Sequence, residues 1–83
     1  MDNLQKLRKK IDSIDRKIVS LLLNRFELAK NIGKYKKSNK IKISDKKREL
    51  KIMDNVKKSS GKNREIISQI FKKIIDYSKK LQK

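Results

Sequence analysis

The sequence predicts an all-α fold of three helices, the first much the longest. Three features predict it: apolar residues recurring in steps of three and four, no alternating strand pattern, and no proline with only two glycines to interrupt the chain. In the first segment the apolar positions are Leu4, Leu7, Ile11, Ile14, Ile18, Leu21, Leu22, Leu28, Ala29 and Ile32, one amphipathic stripe. Asp2 followed by Gln5 has the spacing of a capping box at the start. Gly33 costs about 1 kcal/mol relative to alanine without ending the helix. The segment is expected to reach Tyr35 or Lys36, about 50 Å at 1.5 Å per residue. A compact chain of this length has a radius of gyration of only about 12 Å. Such a rod has no room to bury its stripe within its own chain and needs a partner, most simply a second copy.

Residues 37–43, KSNKIKI, lose the helical period and read as a loop. Ser44 is the expected N-cap of a short second helix carrying Ile52, Met53 and Val56. SSGKN (59–63) reads as a turn, with Asn63 as the next N-cap. The third helix carries Ile66, Ile67, Ile70, Phe71, Ile74, Ile75 and Leu81. No linker or internal repeat divides the chain, so a single domain over 1–83 is expected.

With no Cys and no His, disulfide frameworks and Cys or His metal sites are excluded, along with the commonest general base. No apolar run approaches the ~18 residues needed to span a membrane, and no signal peptide is evident. The expected setting is soluble and cytoplasmic. Net charge is +17, from 26 Lys and Arg against 9 Asp and Glu, which calls for an anionic partner. Charge alone leaves nucleic acid, a small polyanionic substrate and a merely solvated lysine surface all open. The preponderance of Lys over Arg weakens the case for forked contacts to bases or phosphates.

The informative residues are polar ones standing where the helical period demands apolar ones, because an unpaired buried charge costs several kcal/mol. Arg8 lies between Leu4 and Ile11, and Arg25 between Leu22 and Leu28. Lys36 follows Arg25 by eleven residues, so the two share a face about 16 Å apart. On the second helix Asp45 and Glu49 continue the line of Ile52 and Val56, with Arg48 beside them. On the third, Ser78 and Gln82 continue from Ile74. Singly, each has a bland explanation: snorkelling for the cations, the helix dipole for Asp45, an exposed last turn for Ser78 and Gln82. Asp15, also near the stripe, is given a structural or solvent role. Together they suggest a polar pocket lined by all three helices.

Four segments carry a resemblance: LRKKIDSID (7–15), LLNRFELAKNIGKYK (22–36), DKKRE (45–49) and SKKLQ (78–82). In this order and spacing they resemble the all-helical AroQ class of chorismate mutase over nearly the whole chain. The resemblance implies an intertwined homodimer whose long first helices pair across the two-fold. It also implies conversion of chorismate to prephenate, without metal or cofactor and with neither nucleic acid nor membrane as partner. In that reading Arg25 binds a substrate carboxylate, and Arg8 serves the partner chain's site. Lys36 reaches the ether oxygen and a carboxylate, Gln82 is the second ether-oxygen donor, and Glu49 holds the ring hydroxyl. Asp45, Arg48 and Ser78 fill the remaining pocket positions. Isochorismate pyruvate lyase chemistry on the same fold, a basic helical nucleic-acid binder and a structural oligomer are the alternatives. How firmly Gln82 is held in the last helical turn is left open.

Overall fold

The computed structural model describes residues 2–83, with no strand among them. Helix α1 spans Asn3–Ser38, α2 spans Lys46–Ser59, and α3 spans Arg64–Gln82, preceded by a 3₁₀ turn at Gly61–Asn63. Asp2 caps α1, its Oδ1 accepting from the backbone N–H of Gln5 at 2.8 Å, which is the Asp2 half of the expected capping box. At its other end α1 runs past Lys36 to Ser38 and stops in a Schellman motif. There the N–H of Ile41 donates to the Lys36 carbonyl at 2.8 Å and that of Lys40 to Lys37 at 3.3 Å. Lys40 takes the left-handed conformation at φ 56°, a position glycine usually fills. The missing glycine is why the sequence pattern places the helix end too early.

The cap of α2 is also corrected. Asp45, not Ser44, stands at the N-cap, with its Oδ1 accepting from the Arg48 N–H at 3.1 Å. A carboxylate there also meets the positive end of the helix dipole. Gly61, at φ +55°, makes the left-handed turn between α2 and α3. Asn63 precedes α3 as expected, but its side chain makes no capping hydrogen bond.

Helix α3 packs on both α1 and α2 through its one buried face, Ser68, Ile75 and Ser78. The matching face of α1 is Ala29 and Gly33. Small residues on both sides let the two backbones approach. The result is elongated: extents are 57 × 25 × 14 Å and the radius of gyration is 16.2 Å, well above the compact value. The N-terminal half of α1 stands clear of the other helices, with Leu4, Leu7, Ile11, Ile14 and Ile18 each 48–57 % exposed. Among the described residues no large side chain is fully buried. A single copy therefore has almost no core of its own, as the rod argument expects.

Candidate functional site

Where α1, α2 and α3 converge, they line a half-open cavity of about 410 Å³, within the ~300–1,000 Å³ typical of small-molecule sites. Its apolar floor comes from Leu28, Ala29, Ile32, Ile43, Ile52 and Ile75. Its polar groups include Arg25 and Lys36 from α1, Asp45, Arg48 and Glu49 from the start of α2, and Ser78 and Gln82 from α3. Seven of the eight residues picked out in the sequence thus meet in one cavity. Arg8 does not join them: it is exposed, and it precedes Arg25 by 17 residues, about 25 Å along the same helix.

The side chains are tied to one another rather than loose. Arg25 donates from Nη1 to Ser78 Oγ at 2.5 Å, while Ser78 donates in turn to the Ile74 carbonyl at 2.8 Å. A hydroxyl bound to its own helix in this way is a fixed rest for the guanidinium. Burial pushes Arg25 below its ordinary pKa, and the positive charge of Arg48 adds to the effect. Both causes penalise the cation, and the charge of an anion bound in the cavity would offset them. Lys36 Nζ donates to the Ile43 carbonyl at 2.8 Å and to Gln82 Oε1 at 3.0 Å. With Oε1 so engaged, the side-chain NH₂ of Gln82 is left to donate elsewhere.

Three further residues shape the site. Gly33 is one: a Cβ there would lie 2.5 Å from the Gln82 carbonyl oxygen and 2.6 Å from its Cα. Only glycine allows the end of α3 to seat against α1 so closely. The helix-propensity cost of Gly33 thus has a structural return. Lys37 is the second, its Nζ donating to the backbone oxygen of Lys83. Together with the Lys36–Gln82 bond, this contact ties the last turn of α3 to α1. The third is Lys79, which lines the cavity and pairs with Glu49 at 3.1 Å. Lys79 follows Ile75 by four residues and precedes Gln82 by three, so the same periodicity marks it. In a chain this rich in lysine it was indistinguishable from the solvated background.

Among the described residues no group of three or more His, Cys, Asp or Glu could hold a metal ion, and no helix is long and apolar enough to cross a membrane. Fold and cavity define a class: a small all-helical protein with a preformed, cation-rich pocket suited to a compact polyanion carrying hydroxyl groups. The profile of the family described as chorismate mutase type II matches residues 7–83. The chain belongs to the chorismate mutase type II family, whose members are isomerases. It is 37 % identical over 86 positions to a chorismate mutase of Methanocaldococcus jannaschii, covering all of this chain and 87 % of that one. It is also 37 % identical over 71 positions to a bifunctional chorismate mutase/prephenate dehydratase of Aquifex aeolicus, covering 86 % of this chain but 19 % of that much longer protein. Among solved structures, a conserved hypothetical protein from Pyrococcus furiosus superposes with a TM-score of 0.77 at 42 % identity, covering 100 % of this chain and 99 % of that one.

Proposed function

We propose that this protein converts chorismate to prephenate in the cavity between its three helices. The observation that carries the reading is the set of donors around that cavity: Arg25 resting on Ser78, Arg48 lining the same cavity, and Lys36 beside Gln82. Chorismate is a dianion, and its rearrangement breaks a C–O bond while a C–C bond forms within the same molecule. No nucleophile and no proton relay are required, which suits a site without His or Cys. The cavity works by holding the chair-like reactive conformer and by meeting charge as it develops.

Arg25 and Arg48 take carboxylate oxygens, and forked guanidinium–carboxylate pairing fixes orientation as well as charge. Negative charge growing on the ether oxygen is met by Lys36 Nζ and the NH₂ of Gln82, which strengthens their hydrogen bonds in the transition state more than in the ground state. Glu49 accepts from the ring hydroxyl. Asp45 holds the start of α2 so that Arg48 and Glu49 face the cavity. An acceleration at the modest end for enzymes, about 10⁶-fold or 8 kcal/mol, is within reach of two placed donors plus conformer selection.

The working unit is an intertwined homodimer in the cytoplasm, with Arg8 serving the partner's cavity. The support is the half-exposed stripe from Leu4 to Ile18 on a helix whose own chain leaves it uncovered, and the position of Arg8 on that stripe, far from its own chain's site. The purified chain is expected to consume chorismate and yield prephenate in the presence of a metal chelator. Absence of turnover, or pyruvate release from isochorismate in its place, contradicts the proposal.

A further inference from the structure

Three ion pairs occur among the described residues, and they are not alike. Lys30–Glu27 and Lys58–Asp54 are local pairs within one helix, with every side chain more than half exposed. Such pairs contribute little. Lys79–Glu49 instead joins α3 to α2 inside the cavity, at 3.1 Å, with side chains only 34 % and 26 % exposed. Of the two cavity acids, Asp45 is already engaged in capping α2. Glu49 has Lys79 as its one recorded side-chain partner, made through Oε1. A carboxylate anchored by one oxygen presents the other in a fixed direction. A lone carboxylate on a helix face samples several rotamers and must be ordered each time a ligand arrives.

We propose that Lys79 is a positioning residue that sets specificity for the substrate's ring hydroxyl. Its ammonium holds Glu49 Oε1 so that Oε2 is aimed into the cavity as a preorganised acceptor. Lys79 itself leaves the reacting bond to Lys36 and Gln82. The inference rests on the proposed function, since it assigns Glu49 the hydroxyl. That hydroxyl is bonded equally in the ground and transition states, so losing its alignment acts on binding rather than on the chemical step.

The test compares wild type, Lys79→Met and Lys79→Arg on chorismate. Each is also titrated with a cyclic dicarboxylate transition-state analogue and with the same analogue lacking the hydroxyl. Lys79→Met, similar in length but uncharged, is expected to raise KM and the analogue's inhibition constant about 5- to 10-fold with kcat within about twofold. Inhibition by the deoxy analogue is expected to be unchanged. Lys79→Arg, which preserves the ion pair, is expected to restore wild-type KM within about threefold. A merely structural link between α2 and α3 moves the two analogues alike, and that result overturns the inference. So does an unchanged KM in Lys79→Met, while wild-type turnover leaves the proposed function standing. A wild-type chain inactive on chorismate overturns both.

Discussion

Gly33→Ala is the smallest change that tests how the end of α3 serves the site. The added methyl would sit 2.5, 2.6 and 2.9 Å from the carbonyl oxygen, Cα and carbonyl carbon of Gln82, all backbone atoms that no side-chain rotation moves away. Ordinary contact is about 3.5 Å, so the last turn of α3 must retreat by about 1 Å. The Lys36–Gln82 bond, now 3.0 Å, then stretches toward the limit of hydrogen bonding. Misplacing a catalytic group by that distance costs about 10²-fold, or roughly 2.7 kcal/mol. Stability moves much less, because about 1 kcal/mol of helix propensity gained in α1 offsets about 1–3 kcal/mol of overpacking. The assay is kcat on chorismate alongside a thermal melt, for Gly33→Ala, Gln82→Ala and the double variant. If Gly33 acts through Gln82, the double variant is no slower than Gln82→Ala alone. A Gly33→Ala enzyme with wild-type kcat would refute the reasoning.

Lys36→Ala should lower kcat by about 10²–10³-fold, the usual loss for one donor to a developing oxyanion, and undiminished kcat removes Lys36 from the mechanism. Sedimentation should give twice the 9.9 kDa chain mass. Ile11→Asp, which sets a charge in the stripe, should shift the protein toward monomers and abolish turnover. A fully active dimeric Ile11→Asp protein counts against the stripe as interface. Lys40→Gly should stabilise the protein by up to about 1 kcal/mol, since relief of left-handed strain exceeds the added freedom of the unfolded chain. Its kcat should be unchanged, and a lower melting temperature contradicts the strain argument.

The helices and most of the pocket were legible because both obey the same rule. A stripe that must be buried excludes charge, so Arg25, Lys36 and Glu49 stood out against Leu28, Ile32 and Ile52 by position alone. The three-helix count and the rod-like first helix follow from periodicity and from the lack of any interrupting residue. Less legible were features set by contacts distant in sequence. The Gly33 notch depends on the Gln82 backbone, 49 residues away, and as a pattern it reads only as a weak helical position. The Schellman end of α1 was hidden because Lys40 occupies a glycine's place. Between Ser44 and Asp45, both good caps, backbone geometry alone decides. Lys79 was lost among the many lysines, and only its pairing with Glu49 separates it from them.

Mixing two inactive variants tests the central claim, a cationic site completed by the partner chain, most directly. In an Arg8→Ala/Arg25→Ala mixed dimer, one site has lost both arginines and the other has lost neither. Random exchange of equal amounts makes half the dimers mixed, so about one quarter of wild-type chorismate mutase activity should return. Activity that stays at the level of the separate variants, in a sample shown to contain mixed dimers, contradicts a site shared between chains.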